Sequence, residues 1–305
     1  MAALQANAGG EPVVIRGSAS MLHLCQELVE LYQSNVPGAN VGLNVAESLQ
    51  SLPSGENLIW QSVHPLSSRQ KQQLTEHFGS EAREIPIAIE GTVVITNPAN
   101  PVDDLSVDQL RAIYNGKVAN WKEVGGRDAA IRLYSTEAMV GGSLFFTELV
   151  LHGEDIDTSM RGYVNAKETE KAVADDVNGI GLIPLPGAHD VKYPRIRRMP
   201  GWPGIEASSE NIRTVRYPLS AYVYWDFAQQ RPESVTRFLS FAISASGQLA
   251  VQAAGYYPLN PGDRTRLNRA QRTPGECQAI KFNSKFRNPA FIPSAGRRSR
   301  SARVR

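Results

Sequence analysis

Apolar and polar residues follow two different periods along this chain, and the two periods alternate. The segment from Val13 to Ser18 has the pattern of a strand, and the segment from about Ser20 to Ser34 carries apolar residues at helical spacing. The order returns with a strand at Ile131 to Ser135, before a helix that is predicted to open at Ser143. Strands alternating with helices predict an α/β architecture with parallel sheets.

A long β-type run extends from Ile85 to Pro101 and is broken at Glu90 and Gly91. A strand this apolar is typical of a parallel sheet that helices cover on both faces. After this run, the spacing of Ser106 and Gln109 predicts a helix that opens with a capping box.

Two further segments complete the predicted pattern near the end of the apolar part of the chain. Thr214 to Phe227 is predicted to be extended. Ser234 to Gly255 is predicted to be helical, with a break at Ser244 to Gly247.

Length and composition favour an ordinary globular protein. A chain of 305 residues suggests two domains, and charged residues make up 20% of it against 42% hydrophobic ones. No apolar run approaches the ~20 residues needed to span a bilayer. The opening MAALQANAGGEP lacks the features of a signal peptide, so we expect either a cytoplasmic chain or one whose leader has been removed.

The net charge of +2 conceals a strongly basic end. From Asp263 to Arg305 there are twelve Lys or Arg residues against two acids, a balance of +10 that leaves −8 for residues 1 to 262. Such a tail could contact nucleic acid or anionic lipid, or it could be a solvated extension. Because the closing RRSRSARVR contains no aromatic residue, we favour the solvated extension and expect no nucleic-acid partner.

The chain has two cysteines, Cys25 in the first predicted helix and Cys277 in the tail. One long-range disulfide between them would suit an oxidising compartment, and two separate thiols with Cys25 in the core is the alternative. Neither cysteine has a Cys or His neighbour at metal-ligand spacing. We expect no metal and no cofactor.

Sequence signals of catalysis are missing. The five histidines are scattered, and no P-loop, dinucleotide-binding, zinc-binding or Gly-x-Ser-x-Gly motif is present. We therefore expect a protein that is not an enzyme. His64 is the one histidine for which ligand contact is predicted, with a surface position before Pro65 as the alternative.

Several segments resemble one family when they are read in order: NPANPVDDLSVDQLRAIYNGKVANWKEVGG (97–126), LYS with GGSLFF (133–146), NGIGLIP (178–184), YPLSAYVY (217–224) and GQLAVQAAGYYPL (247–259). Together they are similar to the periplasmic phosphate-binding proteins of ABC transporters, over roughly residues 12 to 260. The resemblance implies a two-lobed α/β fold. Each lobe has a sheet flanked by helices, and two crossover strands near Glu90 to Thr96 and Arg213 to Ser220 join the lobes around a hinged cleft.

The resemblance also implies domain boundaries, a location and partners. We expect a first lobe from residues 12–92 and 215–280, a second lobe from residues 93–214, and a poorly ordered basic tail at 281–305. The implied location is periplasmic or extracellular. The implied partners are a small-molecule ligand and a membrane transporter permease or sensor, and we expect a monomer.

The positions that match the family's ligand-binding segments differ from it in residue type. Thr136, His64 and Ala221 stand where the family has arginines, and Val140 and Gly142 stand where it has hydroxyl groups. Small and apolar residues at these loops suggest a roomier and more neutral cleft. The predicted ligand-binding residues are Ser18, Ala19, Ser20, Met21, Ser48, His64, Glu90, Thr136, Val140, Gly141, Gly142 and Ser143.

The substitutions have a consequence for the ligand. Each hydrogen bond to a charged group is worth about 1.5–3 kcal/mol, so loss of a guanidinium and two hydroxyls weakens a phosphate site on the order of a hundredfold or more. We expect a solute-binding protein whose ligand is not tightly bound free phosphate. The alternative is a binding or scaffold protein that kept the fold and lost the anion site.

Overall fold

The computed structural model describes residues 11–17, 21–46, 48–137, 146–184 and 190–272. The strands are β1 (Val13–Gly17), β2 (Val41–Val45), β3 (Leu58–Ser62), β4 (Ala82–Gly91), β5 (Val93–Thr96), β6 (Asp104–Ser106), β7 (Arg132–Thr136), β8 (Arg161–Tyr163), β9 (Gly179–Ile183), β10 (Arg195–Arg197) and β11 (Ser220–Ala228). The helices are α1 (Leu22–Asn35), α2 (Ser68–Phe78), α3 (Val107–Tyr114), α4 (Ala166–Ala174), α5 (Ser209–Arg213), α6 (Glu233–Ala242), α7 (Ala245–Ala253) and α8 (Pro261–Arg272).

The first lobe is built on a five-stranded sheet with the order β2-β1-β3-β11-β4. β1 pairs in parallel with β2 and β3, whereas β11 runs antiparallel to both of its neighbours, β3 and β4. Helix α1 buries Leu24, Cys25 and Leu28 in the main core against one face of this sheet. Helix α2 buries Leu74 and Phe78 in a smaller cluster on the other face.

The second lobe is built on a four-stranded sheet with the order β5-β9-β7-β8. β7 pairs in parallel with β8 and β9, and β5 closes one side of the sheet antiparallel to β9. A separate two-stranded parallel sheet joins β6 and β10. The boundaries predicted for the two lobes and the tail stay a prediction. All strands of the five-stranded sheet lie within the ranges predicted for the first lobe, and all strands of the four-stranded sheet lie within the range predicted for the second.

Local sequence signals explain where the helices begin. Ser106 accepts a hydrogen bond from the backbone of Gln109, whose side chain returns to Ser106, and this confirms the predicted capping box. Ser67 and Gln70 form a second box at the start of α2. The break predicted at Ser244 to Gly247 is also present, because α6 ends at Ala242 and Ser244 caps the start of α7.

The long run from Ile85 to Pro101 does not form a parallel strand, so that prediction was wrong. The run is divided at Thr92 into β4 and β5, which belong to different sheets. β4 pairs antiparallel with β11, and β5 pairs antiparallel with β9. Its apolar character has another cause: it passes through the cores of both lobes, where Ile87, Ile89 and Val94 are fully buried.

Other differences concern short elements. The predicted extended segment from Thr214 begins as a turn, and the strand starts at Ser220. The strands β6, β8 and β10 have three residues each, too few to show a period. Among the described residues, no helix is long and apolar enough to cross a membrane.

Candidate functional site

The candidate site is the cleft where the strand ends of the two lobes face one another. Because β11 is antiparallel to both β3 and β4, the parallel strands β1, β3 and β4 all end at the same edge of the first sheet. In the second sheet, β7 and β9 end at the edge where β5 begins. Thr92 is the single residue between β4 and β5, so the two edges meet at this crossover.

A second crossover runs beside the first. The Thr92 backbone N–H donates to the carbonyl of Leu219 at 2.9 Å, one residue before β11 begins. The Arg198 guanidinium donates to the carbonyls of Val215 and Arg216, which ties the second lobe to the segment leading into β11. A pair of adjacent crossovers is the arrangement expected of a hinge between two lobes.

The structure describes five of the predicted ligand-binding residues. Ser48 follows the end of β2, His64 follows β3, Glu90 lies near the end of β4 and Thr136 ends β7, so all four lie at the facing edges. Met21 precedes α1 and is buried in the core of the first lobe. Seven predicted residues lie outside the described residues, namely Ser18, Ala19, Ser20, Val140, Gly141, Gly142 and Ser143. The assignment of all twelve to a ligand site stays a prediction.

His64 contacts the opposite lobe. Its Nε2 lies 3.2 Å from Oε2 of Glu148, in the single π-helical turn Thr147–Leu151 of the second lobe. Burial acts to lower the pKa of His64, but the hydrogen bond and charge of Glu148, aided by the Pro65 carbonyl and Glu84, raise the pKa above its ordinary value. Sequence reasoning missed Glu148, although it is the single acidic residue between Ser143 and Gly153.

Glu90 is a half-buried residue at the edge of the first sheet, and Oε2 of its carboxyl group is buried. Its Oε2 has no hydrogen-bond partner, and burial raises the pKa of Glu90 to about 8. Burial raises the pKa of the nearby Tyr256, and the charge of Glu90 adds to that rise. Glu90 is therefore mostly neutral at pH 7, so it can donate a hydrogen bond and adds little negative charge to the site.

A second buried acid lies on the opposite face of the same sheet. Asp226 is fully buried, and its Oδ2 accepts a hydrogen bond from Ser62 at 3.0 Å. Burial and then the charge of Glu84 raise the pKa of Asp226 well above its ordinary value. Glu84 in turn accepts a hydrogen bond from the backbone of Leu66, in the loop that carries His64.

The predicted disulfide between Cys25 and Cys277 is not present, and that prediction was wrong. Cys25 is a free, buried thiol whose Sγ donates to Oε1 of Gln61 at 2.7 Å, and Cys277 lies outside the described residues. Burial raises the pKa of the Cys25 thiol to about 12, so the thiol stays protonated. The alternative, in which Cys25 is part of the core, is the arrangement found.

The described residues offer little for metal coordination. Among them, no group of three or more His, Cys, Asp or Glu side chains is placed to hold a metal ion. The described side chains that we place at the facing edges are instead the imidazole of His64, the hydroxyls of Ser48 and Thr136, and the carboxyl groups of Glu90 and Glu148. These can form hydrogen bonds and one ion pair with a small molecule or with each other.

Two α/β lobes with strand ends facing across paired crossovers are the architecture of the periplasmic-binding-protein class of folds. The family profile described as the PBP superfamily domain matches residues 2–246, and the chain belongs to this superfamily. It is similar to the phosphate-binding protein PstS of Bacillus subtilis, with 24% identity over 259 residues that cover 83% of each chain. It is also similar to PstS of Staphylococcus haemolyticus, with 28% identity over 253 residues, 79% of this chain and 78% of the relative.

Solved structures support the same fold. A possible phosphate-binding protein from Planctomyces limnophilus superposes with a TM-score of 0.75 at 18% identity, covering 89% of this chain and 100% of that one. A phosphate transport receptor of the ABC type from Vibrio cholerae gives a TM-score of 0.61 at 22% identity, covering 80% and 99%. The two-lobed α/β fold predicted from the resemblance is confirmed.

Proposed function

We propose that this protein is an extracytoplasmic solute-binding protein that captures a small ligand in the cleft between its lobes. One observation carries the proposal: the ends of parallel strands in two separate sheets face each other across the adjacent crossovers at Thr92 and Leu219. Ligands of open α/β sheets bind beyond the carboxyl ends of the strands. A ligand that contacts both edges favours the closed form by its difference in affinity for the two forms.

The relatives support a role in transport. The named PstS relatives are phosphate-binding proteins, and the Vibrio cholerae structure is a receptor for phosphate transport. By analogy, this chain would work outside the cytoplasm and present its ligand to a membrane permease or sensor. The fold by itself does not fix the ligand, because ligand choice depends on the side chains at the site.

The ligand is proposed to be a small solute other than tightly bound free phosphate. Thr136 supplies one hydroxyl at the end of β7, where the family resemblance places a guanidinium. His64 is the described cationic candidate at the first edge, and the Glu148 carboxylate already lies beside it. A fully charged phosphate would have to compete with that carboxylate and would gain few charge-assisted hydrogen bonds.

The contact between His64 and Glu148 also supports a second candidate function. It bridges the cleft with side chains of the protein itself, as expected if the fold now serves as a binding or scaffold protein without a solute. The two candidates differ in whether any small molecule raises the stability of the folded protein.

A thermal-shift screen at 1 mM of each compound tests the proposal, with phosphate, sulfate, phosphonates, phosphoesters, sugars and amino acids as the probes. A solute with a micromolar Kd stabilises the folded state by about 4 kcal/mol at this concentration. We expect at least one non-phosphate probe to raise Tm by roughly 8 to 16 °C, and phosphate to raise it by less than about 2 °C.

Each part of the proposal can fail separately. A large shift with phosphate, confirmed by calorimetry as a micromolar Kd, would contradict the ligand class and keep the solute-binding role. No shift with any probe, in a sample shown to be free of carried-over ligand by unfolding and refolding, would favour the scaffold function.

A further inference from the structure

We propose that His64 and Glu148 form a proton-dependent latch that holds the two lobes together across the cleft. The latch goes beyond ligand capture, because it acts on the lobes whether or not a solute is bound. It uses one side chain from each lobe, and Nε2 of His64 lies 3.2 Å from Oε2 of Glu148.

Each partner is fixed to its own lobe. Glu148 lies in the turn Thr147–Leu151, and helix α3 holds this turn because Nε of Arg111 donates to the carbonyl of Val150 at 2.7 Å. The ring of Phe146, just before the turn, packs edge-on against Tyr114 of the same helix. His64 follows β3 directly, and the Leu66 backbone beside it is bonded to Glu84 of β4. Opening the lobes must therefore separate His64 from Glu148.

The geometry suits the protonated ring. Nδ1 of His64 lies 3.2 Å from the Pro65 carbonyl oxygen, and Nε2 lies at ion-pair distance, 3.2 Å, from Oε2 of Glu148, so an oxygen atom lies near each ring nitrogen. An imidazolium donates from both nitrogens, whereas a neutral ring turns one lone pair toward an oxygen. The contact is thus favourable when His64 carries its second proton.

The described charged groups that act on the pKa of His64 are both acidic. Glu148 faces it from the second lobe and Glu84 faces it from β4, and together they raise the pKa of His64 against the effect of burial. Asp226 lies behind Glu84 on β11, where burial and the charge of Glu84 raise its pKa and favour its neutral form. A histidine whose pKa is raised by its partner stabilises the contact at pH values below that pKa. The stabilisation is lost as the pH rises through the pKa and the ring loses its proton.

The pair is shielded enough to have an effect. The side chains of His64 and Glu148 are 17% and 34% exposed, whereas both partners of the pair Arg237–Glu233 are more than half exposed. Shielding reduces screening by water and salt. We expect the ratio of closed to open protein to change by about fivefold between the protonated and neutral forms of His64.

The test is a measurement of the distance between the lobes in the full chain without added solute. Nitroxide labels are attached to cysteines at the exposed positions Gln72 on α2 and Lys167 on α4, in a Cys277→Ser background. Cys25 resists labelling because it is buried and its pKa is raised to about 12. Pulsed dipolar spectroscopy then reports the closed and open populations at pH 5.5 and pH 8.5.

Three variants give distinct expected results. Glu148→Gln should shift the distribution toward the longer distance at pH 5.5 and remove most of its pH dependence. His64→Lys keeps a cation at both pH values, so it should stay in the shorter distribution at pH 8.5. Glu154→Gln removes a carboxylate of the same lobe that pairs with Lys117, and it should behave as the parent chain does.

Several results would overturn the latch. One is a parent distance distribution that is unchanged between pH 5.5 and 8.5, and another is a pH shift that survives in Glu148→Gln or His64→Lys. Circular dichroism and melting curves of each variant at both pH values ensure that a longer distance reports lobe opening and not unfolding. Loss of solute binding in the thermal-shift screen would leave this test intact, since no solute is used.

Discussion

Glu90 shows how a single buried side chain makes the stability of this protein depend on pH. The unfolded chain releases the proton of this carboxyl near pH 4.5, whereas the folded protein keeps it until about pH 8. Between these values the folded state binds more protons than the unfolded state, so stability falls as pH rises. The loss of stability caused by Glu90 is absent below pH 4.5 and reaches a constant size above about pH 8.

We predict that Glu90→Gln raises Tm above pH 8 by about 2 to 6 °C and flattens the fall in Tm between pH 5 and pH 8. The amide has the shape of the protonated acid and does not ionise. Glu76→Gln on the exposed side of α2 is the matched control and should leave the pH profile as it is. A profile that Glu90→Gln does not alter would mean that Glu90 is ionised in the folded protein.

The candidate site was only partly visible in the sequence at the residue scale. The family resemblance directed attention to His64, Glu90 and Thr136, and all three lie at the facing edges. Glu148 could not be found in this way, because it contacts His64 across the two lobes. These two residues are 84 positions apart in the chain. Burial of Glu90 and Asp226 is likewise a property of the packed sheet and leaves no signal in the local sequence.

Helices were predictable at the scale of elements because their signals are local. The capping residues Ser106 and Ser67 and the apolar positions of α1 are all set within a few residues. Strand pairing was less predictable, since β4 pairs with β11 and β5 pairs with β9. Both partner strands lie far along the chain. An apolar run shows that a strand is buried and does not show its partner.

The packing of β9 between β5 and α4 yields a prediction at the same scale. A Cβ added at Gly181 would lie 2.8 Å from Cγ2 of Val173 in α4 and 2.9 Å from Cγ1 of Ile95 in β5. We predict that Gly181→Ala lowers the free energy of unfolding by about 1 to 3 kcal/mol, because the crowded core must shift. Equilibrium unfolding in urea measures the change.

Gly42→Ala in β2 is the control for this substitution. A Cβ at Gly42 meets no heavy atom within 4 Å in the structure described, and the residue also lies in a strand. Its effect should stay within about 0.5 kcal/mol. Equal destabilisation by the two substitutions would show that loss of glycine in a strand, and not the contact with Val173 and Ile95, sets the cost.

At the scale of the whole molecule, the two lobes depend differently on chain order. The strands of the second lobe, β5 to β10, follow one another between Val93 and Arg197. The first lobe needs β11, which joins β3 to β4 in the centre of its sheet and enters after the second lobe is complete. The strands of the first sheet therefore come from two separate stretches of the chain, whereas those of the four-stranded sheet lie in one stretch.

We predict that a fragment of residues 93–214 folds independently and that a fragment of residues 1–92 does not. In the shorter fragment β4 has no partner strand, and the apolar surfaces that α6 and α7 cover would be exposed. Circular dichroism with a cooperative thermal transition, together with dispersed amide resonances, should identify the folded fragment. A folded fragment 1–92, or an unfolded fragment 93–214, would contradict the lobe boundaries, because each lobe must contain every strand that its sheet needs to bury its core.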